Sequence, residues 1–197
     1  MKILVIEDKE IHQRSAEETL SDHEVTIVES FDEAMNLMKE MEAFPFEAVL
    51  TDMMMPMSDK TLGPGVYKHG EQVPYGFIIA LRAALCGAKY VAMVTDANHH
   101  QGAMSAALDQ LGPMYYQWPH ASEYEDYRPK MFNINGAKVV FVHTPFIVRQ
   151  KDEVCEQCEA GVKMSQDSCG RCDGTGHEGE QTELKDWGKV LADLTKK

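Results

Sequence analysis

Residues 49–57 read VLTDMMMPM, an apolar run that ends on one aspartate and continues into three methionines and a proline. The middle of a buried strand has no use for a charge, but the carboxyl end of a strand in a parallel sheet is where ligands and metals collect. EAVLT (47–51) therefore reads as a strand, with Asp52 at its mouth. Working outward, KILVI (2–6), EVTIV (24–28), YVAMVT (90–95) and KVVFVH (138–143) are further short runs rich in β-branched residues, expected as strands. Segments of helical spacing alternate with them. Residues 11–23 carry Ile11, Ala16 and Leu20, and Ser30 caps the next helix, in which Glu33 stands three residues on as in a capping box and Ala34, Leu37, Met38 and Met41 share one face. Residues 75–87 and 101–112 each end on a glycine, and 182–197 carries Leu184, Trp187, Leu191 and Leu194. Strands alternating with helices require right-handed crossovers, so the expected fold is α/β, a doubly wound five-stranded parallel sheet with helices on both faces.

Composition narrows the function. The 197 residues are 44% hydrophobic, enough for a core, and the net charge of −13 repels phosphate backbones. No Lys/Arg stripe offsets that charge, so no nucleic-acid partner is expected. MKILVIEDKE lacks the apolar core and cleavage site of a signal peptide, and YGFIIALRAALCGAKYVAMV is interrupted by Arg82 and Lys89. A soluble cytoplasmic protein with no membrane association is the expectation. Five cysteines, four of them in metal-like pairs, fit a reducing compartment.

The sheet rule gathers chemistry at one mouth. Glu7 and Asp8 follow the first strand, Asp52 the third, Thr95 and Asp96 the fourth, and His143, Thr144 and Pro145 the fifth. Clustered carboxylates repel unless a proton or cation compensates them, and a magnesium ion tolerates a site of few carboxylates and several waters. A metal beside Asp52 would let that carboxylate act as a nucleophile toward phosphorus, with the Thr95 hydroxyl bonding a phosphoryl oxygen. His99 and His100, in TDANHHQG, are candidate extra ligands or proton carriers together with Asp96.

ILVIEDKE, VLTDMMMP, VAMVT and the TPF after GAKVVFVH resemble the receiver domain of two-component response regulators. The resemblance implies a flavodoxin-like sheet of order 2-1-3-4-5. It makes Glu7, Asp8 and Asp52 magnesium ligands, joined by the backbone carbonyl of Met54. It makes Asp52 the phosphoacceptor and Thr95 the switch hydroxyl, with a histidine kinase or phosphotransfer protein as donor. Two positions depart from the family. Thr144 stands where a lysine is expected just before Pro145, Lys138 being at the other end of the strand, and Asp96 replaces a small residue after Thr95. Losing a cation and gaining an anion both disfavour a phosphorylated state, each by about a few kcal/mol at an effective dielectric of ~20.

The second motif is CEQCEAGVKMSQDSCGRCDGTG, in which Cys155-x2-Cys158 and Cys169-x2-Cys172 are ten residues apart. Two such knuckles supply four thiolates for a structural zinc, redox dithiols or disulfides being the alternatives. The second half also resembles the Cys-x-x-Cys-x-Gly-x-Gly repeat of the J-protein chaperone zinc region. With nine Asp/Glu against three Lys/Arg over 151–183, this segment is too polar to fold on its own core, and a metal would staple it.

The domain reading is one receiver-like domain, 1–197, with insertions at 55–74, 113–136 and 150–180. His12, His23 and His69 read as lone surface histidines, Cys86 as a small buried hydrophobe and Trp187 as a core anchor. Three functions compete: a magnesium-binding signalling module phosphorylated on Asp52 and acting through a protein partner, a phosphate-independent interaction scaffold, and a metal-dependent hydrolase or phosphotransferase using Asp96 and its neighbouring histidines.

Overall fold

The computed structural model describes residues 1–40, 44–58, 60, 71–96, 103–108, 110, 131–149 and 182–196. The chain divides into two compact units, Met1–Pro145 with Lys185–Lys197, and Phe146–Leu184. The first unit is α/β. Its elements are β1 (Lys2–Ile6), α1 (Glu10–Thr19), β2 (Glu24–Val28), α2 (Phe31–Glu40), β3 (Ala48–Asp52), β4 (Met55–Pro56), β5 (Gln72–Val73), α3 (Tyr75–Leu85), β6 (Tyr90–Thr95), α4 (Ala103–Leu108), β7 (Met131–Ile134) and β8 (Ala137–His143). It closes with α5 (Trp187–Thr195). In the second unit β9 (Phe146–Arg149) pairs with β10 (Thr182–Lys185), whose last residue belongs to the first unit.

The central sheet is mostly parallel and runs β2-β1-β3-β6-β8-β7. It has six strands, one more than the sequence reading, because part of the segment 113–136 forms β7, antiparallel to β8. Asn135 and Gly136, both at positive φ (52° and 84°), make the two-residue turn between them. Part of the segment 55–74 likewise forms a short ladder, β4 against β5.

Strands buried on both faces read as continuous apolar runs, with alternate side chains going to opposite layers. Leu4, Ile6, Val49 and Val91 pack with Ala34 and Met38 of α2 and Ile79, Ala80 and Ala83 of α3. Ile3, Val5, Leu50, Ala92 and Val142 pack with Ala16 of α1, with Leu20 just past its end and with Trp187, Val190, Leu191 and Leu194 of α5. Each of the large aliphatic side chains contributes about 1.5–3 kcal/mol through burial. Trp187 is fully buried, as expected of a core anchor, and its indole N–H donates to the His12 carbonyl at 3.0 Å.

Local signals shape the ends. The Glu33 N–H donates to Ser30 Oγ (3.3 Å), and the Glu33 carboxylate accepts from the Glu29 N–H (3.0 Å). α3 stops as the Ala88 N–H bonds to Ala83 O (3.1 Å) and Gly87, at φ 98°, bonds to Ala84 O (3.2 Å). The last helix is shorter than the reading of 182–197. It begins at Trp187 because Asp186 caps it, accepting from the Lys189 N–H at 2.8 Å, and residues 182–185 are strand. Among the described residues, no helix is long and apolar enough to cross a membrane.

Candidate functional site

Hydrogen bonding between strands continues one residue beyond three strand ends and fixes the rim. The Glu7 N–H donates to Val28 O (3.1 Å), Met53 to Val94 O (3.2 Å) and Thr144 to Thr95 O (2.9 Å). Glu7 is thus carried just past β1, yet it is fully buried, and Asp52 is 1% exposed. One carboxylate oxygen each from Glu7, Asp8 and Asp52 lies within 4.8 Å of the others. The three acids meet at one place. Met54 follows in the turn, partly buried against Met53 and Met93. Thr95, also buried, ends β6 one step beyond Val94, the residue paired with Asp52.

The start of α3 braces this rim. The Gly76 N–H donates to Met53 O (3.0 Å), and a Cβ at Gly76 would lie 2.2 Å from the Asp52 carbonyl oxygen. Only glycine allows the helix to approach so closely.

A cation stands at this mouth although Thr144 does not supply one. Thr144 is a backbone fixture whose hydroxyl donates to Pro145 O (2.9 Å), and Lys138 donates to Lys196 O (3.2 Å). The cation is Lys185, whose fully buried ammonium lies 2.6 Å from Glu7 Oε2, 2.9 Å from Asp52 Oδ1 and 3.9 Å from Asp96 Oδ1. Its backbone is pinned on both sides. The Lys185 N–H donates to His12 Nδ1 (3.3 Å), Lys185 O accepts from Ser15 Oγ (2.6 Å), and the Asp186 N–H donates to Pro145 O (2.8 Å). That last bond joins the two ends of the first unit's chain where the second unit leaves and returns.

Two further residues change their reading. His12 is 4% exposed, so it is no lone surface histidine. Because its Nδ1 accepts from Lys185, its Nε2 carries the proton, and that atom faces Asp96 Oδ2 at 3.4 Å. Lys9 Nζ pairs with the same Asp96 oxygen at 2.5 Å. Cys86 is only half-buried.

Burial and charge set the protonation behaviour. Desolvation raises Glu7 to about 7, outweighing the Lys185 charge that lowers it, and Asp52 adds to the rise. Asp52 is raised for the same leading reason, against Lys185. For Asp96, burial pushes up, but the His12 contact and the charges of Lys185 and Lys9 together hold it well below the usual carboxylate range. Burial would lower Lys185, but Asp52, Glu7 and Asp96 keep it firmly protonated.

The donor set fits a hard divalent cation. Glu7 Oε1 accepts from the Lys9 N–H (3.1 Å) and Oε2 from Lys185, and Asp52 Oδ1 accepts from the Met53 N–H (2.7 Å). Asp8 Oδ1, by contrast, is buried with no hydrogen-bond partner among the described residues. Such an orphaned oxygen is what a metal would satisfy. Three acids share the one ammonium of Lys185, so a metal ion could complete the compensation.

The remaining site candidates, His99, His100, Cys155, Cys158, Cys169 and Cys172, lie outside the described residues. No protein-family model matches the chain, and no curated protein matches it.

The sequence reading missed Lys185, Lys9 and His12. A signal for the first was present: Asp186 is a helix-capping type immediately before an apolar-periodic run, which puts Lys185 outside the helix.

Proposed function

We propose that this chain is a receiver-like signalling module whose Asp52 accepts a phosphoryl group from a partner protein and whose output is a protein contact. The observation that supports it best is the Lys185 ammonium lying between Glu7 and Asp52, beside the unsatisfied Asp8 oxygen. Asp8 and Asp52 would hold magnesium, with Glu7 and the Met54 carbonyl completing the set. Bound there, the ion supplies positive charge against an incoming phosphoryl group. An Asp52 oxygen attacks phosphorus, an acyl-phosphate bond forms, and the bond to the donor breaks with its electron pair leaving on the donor. Lys185 stays within reach of the new phosphoryl oxygens, and the Thr95 hydroxyl donates to one of them. The five parallel strands would be the five of a receiver, with β7 an added edge. A structural zinc on Cys155, Cys158, Cys169 and Cys172 belongs to the same reading, as does a cytoplasmic setting with a histidine kinase or phosphotransfer protein as donor.

Incubation with magnesium and acetyl phosphate tests this. Intact mass should show one added phosphoryl group on the wild type and none on Asp52→Asn, and metal analysis should find about one tightly held zinc per chain. A second reading, a phosphate-independent scaffold, is favoured by Asp96, an anion beside Thr95. Wild-type protein that binds magnesium yet never gains the phosphoryl mass would select it.

A further inference from the structure

Asp96 is not simply one more acid at the rim. Its Oδ2 faces Lys9 Nζ (2.5 Å) and the N–H of His12 (3.4 Å), while its Oδ1 faces Lys185 Nζ (3.9 Å). Among the described residues, these three partners are all donors, and two are ammonium ions. Such a constellation is what an anion-binding pocket looks like, and here a residue of the chain fills it. Lys185 is shared, because the ammonium facing Asp96 Oδ1 is 2.9 Å from Asp52 Oδ1. The Lys9 side chain is half exposed (49%), so it can follow a displaced carboxylate or a new anion.

We infer that Asp96 is a resident counter-anion that occupies the Lys9–His12–Lys185 donor pocket, competes with the phosphoryl group for Lys185, and so sets how readily Asp52 is occupied. This rests on the phosphoacceptor reading of Asp52. A phosphoryl group arriving on Asp52 brings its charge within a few ångströms of Asp96, and the same Lys185 ammonium must serve both anions. Repulsion and competition act in one direction, toward an empty Asp52. Lys9 opposes them by neutralising Asp96.

The experiment uses the full chain carrying Trp118→Phe, which leaves Trp187 as the one tryptophan of the two in the sequence. The Trp187 ring is 5.5 Å from Lys185 Nζ, so its emission reports movement of that ammonium. The probe is beryllium fluoride, a phosphoryl mimic, titrated at saturating magnesium. Asp96→Ala should tighten the mimic by about tenfold or more, and Asp96→Asn, which keeps the shape, should tighten it in the same direction. Lys9→Gln should weaken it in the wild-type background and much less in the Asp96→Ala background, because its chief partner is then gone. A residue needed only for packing would change stability and leave these affinities alone. Equal affinity in wild type, Asp96→Ala and Asp96→Asn overturns the counter-anion role while leaving the phosphoacceptor reading intact. No response to the mimic in any of these proteins, with magnesium still bound, overturns both.

Discussion

From Ile3 in β1 to Glu7 just past its end the burial never changes, but the chemistry inverts. Ile3 to Ile6 are fully buried among apolar side chains, and Glu7, the next residue, is just as buried among charges. The interior of the sheet is held by shape and apolar area, which neighbouring elements supply. The mouth is held by charge compensation, and its central cation, Lys185, follows the second unit, Phe146–Leu184, in sequence. The two regions therefore fail differently when cut.

The largest difference is expected from Lys185→Met. It leaves Glu7 and Asp52 buried with no counter-ion, a loss of about 3–5 kcal/mol. Leu50→Ala in the interior opens a cavity and costs a comparable ~2–5 kcal/mol. Magnesium separates them. Urea unfolding should show the ion stabilising Leu50→Ala by the same increment as wild type, because the site is untouched. Lys185→Met should gain a larger increment, since removing the ammonium leaves the acids more attractive to a cation. Equal increments in the two variants would mean that Lys185 is not the compensating charge.

That asymmetry also explains what was legible in the sequence. The α/β class and the meeting of Glu7, Asp8 and Asp52 follow from contiguous apolar runs and one rule about strand ends, both local signals. Lys185 was hidden because the residue pattern of 182–197 suits a helix throughout, and only Asp186 marks the true start. β7 had a local signal that was passed over: Asn135-Gly136 between MFNI and AKVVFVH is a strong hairpin turn. His12 could not be placed, since its partners Asp96 and Lys185 adjoin it only in three dimensions.

A somewhat smaller contrast lies in pH. Burial raises Glu7 from 4.5 to about 7, so the folded state holds that proton more tightly than the unfolded chain. The resulting stabilisation is complete below about pH 4.5 and is lost as pH rises through 7, on the order of 3 kcal/mol. Asp52 shifts in the same direction and adds to the slope. Asp96, held low, acts oppositely and only at acid pH, outside this window. Without magnesium, wild-type stability should therefore fall between pH 5 and 8, and Leu50→Ala should fall in parallel, its defect being uncharged. Glu7→Gln should flatten much of the slope. Should the slope survive in Glu7→Gln unchanged, the buried acid is not its source.

The smallest effect probes the seam between the regions. Asp186 caps α5, whose Trp187 and Leu191 belong to the interior, and it directly follows Lys185 of the mouth. Asp186→Ala removes an N-cap and should cost about 1 kcal/mol. Magnesium affinity should nevertheless stay at the wild-type value. Lys185 is positioned by its own backbone bonds to His12 and Ser15, and the Asp186 N–H that reaches Pro145 O survives the substitution. Ser15→Ala is the complementary cut. It strands the buried Lys185 carbonyl, at a cost of about 1–3 kcal/mol, and should weaken the mouth and the helix seam together. Calorimetric magnesium titration of the two variants decides the point: if Asp186→Ala shifts the affinity as much as Ser15→Ala does, the lysine is held by the helix start rather than by its own backbone.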